Sequence, residues 1–264
     1  MRLPVVACRD GNRLVHAISG SCWCTTGIAG DHEPVQPSRR RALVALALLA
    51  PAPTLGALTA FVLAPGPIGQ VVYAACKLWI LALPAIWLLF VECGRVSLSP
   101  LSAGRPARAL AEGALLGLAF GAIVVAAHAM VGERWLDPAR LRQIADEAGF
   151  GTRGAYLVLA AYLALVNSLL EEYVWRWFVY RQVERLVRPA LAVPISALLF
   201  TLHHVLVFAV QLGPQIAVLG SLGVFVGGCI WSWLYARWRS IWPAWVSHML
   251  VDVAGLWIGW VLLF

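Results

Sequence analysis

Glu171 and Glu172 are adjacent, and Arg176 follows four residues after the second of them, inside a stretch from Ala155 to Tyr180 that is otherwise uncharged. Each ionised group at the centre of a membrane helix costs about 2.5–3.5 kcal/mol on insertion scales. Three of them within six residues need a purpose, either a structural ion pair between helices or an active site that faces the bundle interior. On an α-helix Glu172 and Arg176 share a face and can pair, which offsets part of that cost. Glu171 lies about 100° further round, on the face of Asn167 and Trp175. One glutamate therefore carries its own counter-ion, and the other is free to act as a general base. Asn167 is placed to line the same cavity.

Two later apolar stretches carry matching polar groups. Phe200 and His204 are four apart and share a face, while His203 points elsewhere. His248 and Asp252 are also four apart, and a carboxylate at that spacing can hold an imidazole in one tautomer and orientation. Each pair has a plain structural reading as an internal hydrogen-bonded or packed group. Their occurrence beside an uncompensated glutamate favours the catalytic one. Lys77 and His128 are weaker candidates, and Lys77 is expected to snorkel to the outer surface. Gly227 and Gly228 read as a close helix-packing surface.

The elements that must position these groups are helices in a membrane. Of 264 residues, 61% are hydrophobic and only 12% charged, with a mean hydropathy of +0.79; a soluble domain carries about 25% charge. Seven apolar stretches, 42–64, 70–91, 109–131, 155–183, 189–211, 215–236 and 241–264, are each long enough to cross about 30 Å of hydrocarbon. The expected fold is all-α, a polytopic transmembrane helical bundle of about seven spans, with eight allowed because one re-entrant segment would change the parity. The active site would lie within the bundle, in a cavity reached from its cytoplasmic half.

The net charge of +7 comes from nineteen arginines and one lysine. The arginines gather at alternate loops, so the positive-inside rule explains them and places the N-terminus in the cytoplasm. No nucleic-acid role is needed. Residues 1–41 form a polar tail, expected to be disordered and without the apolar core of a signal peptide. Its Cys8, Cys22, Cys24 and His32 match no zinc spacing well. Asp137, Pro138 and Gly149 read as the cap, first residue and stop of a short helix between the third and fourth spans.

Taken in order, Glu171-Glu172-x-x-x-Arg176, Phe200-x-x-x-His204 and His248-x-x-x-Asp252 resemble the motifs of the CAAX-protease and bacteriocin-processing family (CPBP, also called ABI), which includes the type II CAAX prenyl endopeptidases. The resemblance covers roughly residues 156–263, within a catalytic core at about 154–264 of the transmembrane domain 42–264. It implies an intramembrane endopeptidase in which Glu171 activates water with help from His204. His248 and Asp252 would complete the polar site and stabilise the oxyanion, and Glu172 and Arg176 would be structural. Phe200 and Asn167 would support the site. Zinc is a candidate cofactor, with Glu171, His204 and His248 as its ligands. The glutamate would then have to choose between ligand and base, and the His-Glu-x-x-His arrangement is absent. The balance favours no obligatory metal.

The expected partners are the lipid bilayer and a membrane-associated or C-terminally hydrophobic peptide or protein. The Ala-, Arg- and Trp-rich composition points to a prokaryotic inner membrane, where prenylated substrates are not expected. The rival reading is a non-catalytic immunity or scaffold protein that retains the motifs. A proton-coupled transporter ranks lowest, because no inverted repeat is visible.

Overall fold

In the computed structural model, residues 9–10, 13–14, 39–92 and 105–264 are described. Most of the polar tail, with Cys8, Cys22, Cys24 and His32, therefore lies outside the described residues, as does Cys93. Within the tail, Arg9–Asp10 pairs antiparallel with Arg13–Leu14. Everything else that is regular among the described residues is helical. Seven helices are long and apolar enough to cross a membrane, as the hydropathy pattern predicts: α1 (Arg39–Leu63), α2 (Pro67–Val91), α3 (Pro106–Gly132), α5 (Arg153–Glu184), α6 (Pro189–Gln211), α7 (Pro214–Trp238) and α8 (Trp242–Leu263). The short α4 (Pro138–Glu147) sits between α3 and α5, and the Asp137 side chain accepts a hydrogen bond from the Ala139 N–H at 2.9 Å.

The helix starts follow from local chemistry. Pro67, Pro106, Pro138, Pro189 and Pro214 each open a helix, where the missing N–H leaves nothing unsatisfied. Gly213, at φ 91°, makes the sharp turn between α6 and α7 that a side chain would strain. Those two helices pack against each other along their lengths, and α3 packs along α8. Small residues bring the backbones together. A side chain at Gly113 would overlap the Pro243 backbone, and one at Gly117 the Ser247 backbone. Gly228 meets Ala197 and Phe200.

Helix α5 is central. Trp175, Phe178, Val179, Tyr180 and Val183 are buried among Leu49 of α1, Leu83 and Trp87 of α2, Phe200 of α6, Leu234 and Tyr235 of α7 and Ala244 of α8. Its backbone is not uniform. It widens into π turns at Tyr162–Asn167 and Tyr173–Tyr180, on either side of the α-helical Ser168–Glu172. Such insertions are frequent at functional sites.

The arginine-bearing ends of the helices are laced together. Arg185 holds Glu92 through both carboxylate oxygens, at 2.5 and 3.1 Å, and the Gln182 amide donates to the same group at 3.0 Å. Arg239 donates twice to Glu184 at 2.7 Å, and Arg237 lies 3.0 Å from Glu112. These contacts tie α2 to α5, the α7–α8 turn to α5, and α3 to α7. Burial pushes the Glu92 carboxyl up, but the hydrogen bonds from Arg185 and Gln182 and the charges of Arg185 and Arg181 outweigh it and hold it below the usual carboxylate range.

A depressed carboxyl stabilises the fold above its unfolded value of about 4.3 and loses that contribution as pH falls through its folded value. The melting temperature in detergent is therefore expected to drop on acidification below about pH 4.3. In Glu92→Gln that acid-side drop is smaller and the melting temperature at neutral pH is lower. An unchanged acid limb in the variant would show that Glu92 is not a source of it.

Candidate active site in the bundle interior

Glu172 is completely buried. Its Oε1 lies 3.2 Å from Arg176 Nη1, in the i,i+4 pair expected from spacing. The same oxygen accepts a hydrogen bond from His248 Nδ1 at 2.8 Å across the α5–α8 interface. Because a carboxylate only accepts, the Nδ1 nitrogen carries the proton and Nε2 is turned the other way. The imidazole is therefore oriented by Glu172, whereas the spacing on α8 pointed to Asp252. Asp252 Oδ1 stands 3.7 Å from His248 Nε2, and Glu171 Oε2 stands at the same 3.7 Å. The His248 ring stacks on Trp231, with centroids 3.8 Å apart and 15° between planes, and the Trp231 N–H donates to Ser247 Oγ at 3.2 Å.

The Arg176 guanidinium is enclosed by aromatic faces, 4.7 Å from the Phe200 centroid and 5.1 Å from that of Trp231. A buried arginine so placed has both a carboxylate and two ring faces to compensate it. Phe200 is thus part of the wall that holds the ion pair. His204 Nδ1–H donates to the Phe200 carbonyl at 3.0 Å, which leaves Nε2 as its working atom. His203 points away, stacked on Trp175 with centroids 5.7 Å apart. Glu171 is not bare: its Oε1 accepts a hydrogen bond from Asn167 Nδ2 at 2.9 Å.

Asn167, Glu171, His204, His248 and Asp252 all line one cavity of about 840 Å³, whose remaining wall is mainly apolar and comes mostly from α3, α6, α7 and α8, with Leu163 of α5. The cavity does not run toward the arginine-bearing ends, as the depth of the motifs suggested. There the core of Val179, Tyr180, Val183, Leu234 and Tyr235 and the ion pairs close the bundle. It runs the other way, to His128, Gly132, Leu136 and Ile216. Ile123 of α3 and Leu222 and Val226 of α7 line it and are exposed.

Lys77 does not snorkel outward; its Nζ reaches Asn167 Oδ1 at 3.5 Å. Trp231 gave no signal, being one aromatic residue among several in α7. For zinc, the two Nδ1–H donors leave both Nε2 atoms available, which suits ligation. Yet among the described residues no three His, Cys, Asp or Glu side chains gather closely enough to hold a metal ion. The donor set as arranged does not fit one.

A helical membrane protein with a charged constellation walled into its interior defines the class. Residues 153–254 match the family model described as type II CAAX prenyl endopeptidase Rce1-like, a segment that runs from the start of α5 into α8 and holds all three motifs. No curated protein and no solved structure matches the chain. The likeness is thus to that family, and it covers residues 153–254.

Removing one partner of a fully buried ion pair strands the other and typically costs about 3–5 kcal/mol. Glu172→Ala is expected to destabilise by about that amount, measured by denaturant unfolding in detergent. Glu171→Ala, at a cavity wall, is expected to change stability much less. Equal losses from the two would contradict the division drawn here.

Proposed function

We propose that the protein is an intramembrane endopeptidase that hydrolyses a peptide bond with a water activated by Glu171. The observation that supports this most is the asymmetry of the Glu171 carboxylate. One oxygen is tethered by Asn167, and the other faces His248 Nε2 across 3.7 Å on the wall of a mainly apolar cavity. In this reading Glu171 takes a proton from water as the oxygen attacks the scissile carbonyl. His204, with its proton committed to the Phe200 carbonyl, accepts from the same water through Nε2. His248 acts as the imidazolium, its Nδ1–H held by Glu172 and its Nε2–H faced by Asp252, and donates from Nε2 to the oxyanion of the tetrahedral intermediate. Collapse breaks the C–N bond, and the proton held by Glu171 passes to the leaving amine. Glu172 and Arg176 take no part in proton transfer and fix His248.

The substrate in this reading is a membrane-associated or C-terminally hydrophobic peptide that enters sideways between α3 and α7. In the same reading the N-terminus lies in the cytoplasm of a prokaryotic inner membrane, an orientation that the arginine-bearing helix ends support. No step is assigned to a metal.

The test is cleavage of a library of membrane-anchored peptides by the purified chain in lipid nanodiscs. Removing a general base costs about 10²–10⁴-fold in rate, so Glu171→Gln is expected to lose at least about 10² in kcat. Activity is expected to survive a chelator. A Glu171→Gln variant as active as wild type would end the reading, and chelator-sensitive cleavage would replace its metal-free form with a metal-dependent one. Gly223 lines the cavity with open space where a side chain would stand. Gly223→Leu is therefore expected to raise KM about tenfold without lowering the melting temperature.

A further inference from the structure

Lys77 is the sole lysine of the chain, and it stands ten residues after Pro67 and fourteen before Val91, near the middle of α2. A cation at that depth is costly unless a partner is at hand. Its Nζ ends 3.5 Å from Asn167 Oδ1 and 5.9 Å from the centroid of the Tyr73 ring. The Asn167 amide in turn donates from Nδ2 to Glu171 Oε1 at 2.9 Å. Three residues on two helices thus form one chain of hydrogen bonds that ends on the glutamate.

The direction of that chain is fixed at both ends. An ammonium only donates and a carboxylate only accepts. Asn167 satisfies both in one orientation alone, with Oδ1 toward Lys77 and Nδ2 toward Glu171. If the amide flipped, its oxygen would face the carboxylate and its NH2 the ammonium. Without the ammonium, one of the two constraints on the amide is gone. Glu171 Oε2 is then the oxygen left for chemistry, the one that faces His248 Nε2 at 3.7 Å.

We propose that Lys77 is a positioning residue for Glu171, acting through Asn167 to fix which carboxylate oxygen is presented to the reacting water. The proposal rests on the peptidase reading above. It carries the site beyond the Rce1-like segment, since α2 lies outside residues 153–254. Lys77 does not line the cavity, so substrate binding is not its task.

The test uses the full chain in nanodiscs with a peptide that wild type cleaves, and Glu171→Gln as the reference for lost chemistry. Loss of a residue that orients a reacting group typically costs about 10–100-fold in activity. Lys77→Met is expected to lower kcat by about that factor with KM unchanged, and Lys77→Arg to restore most of it. If Lys77→Met shows no cooperative melting transition, Lys77→Gln takes its place with the same expectation. The double variant Lys77→Met/Asn167→Leu is expected to be no slower than Asn167→Leu alone, because the lysine acts only through the amide. A Lys77→Met enzyme with wild-type kcat, a change confined to KM, or losses that multiply in the double variant would each overturn the proposal while the peptidase reading stands. A wild type that cleaves no peptide, like Glu171→Gln, overturns both.

Discussion

Glu172 has no exposed surface, and a carboxylate taken wholly out of solvent must be matched by charge and hydrogen bonds where it lies. Arg176 supplies the charge from the next turn of α5, and His248 supplies a hydrogen bond from α8. Arg176 needs compensation of its own, and the faces of Phe200 and Trp231 provide it from α6 and α7. One buried oxygen therefore dictates how four helices meet. The aromatic residues that wall the ion pair also touch the imidazole, for Trp231 stacks on His248 at 3.8 Å. The order of His248 is a by-product of neutralising Glu172.

Two chemically identical neighbours are thereby given different environments. The α-helical step between residues 171 and 172 turns one side chain into the protein core and the other onto the cavity wall. Glu172 is spent on the framework. Glu171 has one neutral donor in Asn167, and one oxygen that looks toward His248. The π turns before and after Ser168–Glu172 confine the regular α geometry of α5 at this point to the five residues that make the distinction. The ion pairs at the arginine-bearing ends act at a distance from this geometry, by holding α2 and the α7–α8 turn against α5 and α3 against α7.

The sequence made the helices and their local pairs legible because both depend on spacing within one element. Seven apolar stretches long enough to span, and the Asp137 cap with Pro138 as the first residue of its helix, all appear where the pattern puts them, and Glu172 pairs with Arg176 as their separation predicts. Contacts between helices depend on rotation and tilt, which spacing does not encode. Asp252 was the residue on His248's own face, so it was the expected orienting group; the bond at 2.8 Å comes from another helix. Lys77 was expected outside because a long cationic side chain usually reaches the interface. It turns inward because Asn167 and Glu171 lie within its reach. The course of the cavity was read from the depth of the motifs along their helices. It follows instead from the core side chains that fill the opposite end, and packing of that kind is decided by the whole bundle.

On the peptidase reading proposed above, the apolar wall has a consequence for selectivity. A chain that passes from lipid into the cavity exchanges one apolar surface for another, so it gains little from the hydrophobic effect that drives binding from water. Shape and the polar groups at the inner end must then discriminate. A peptide group at Glu171, His204 and His248 leaves a bilayer core where its N–H and C=O are costly unless bonded, and it finds donors and acceptors already in place. An unbroken membrane helix keeps its backbone bonds internal and has nothing to gain there. The arrangement therefore favours segments whose backbone is already unpaired near the membrane, such as extended termini and helix ends, over the interior of a stable helix.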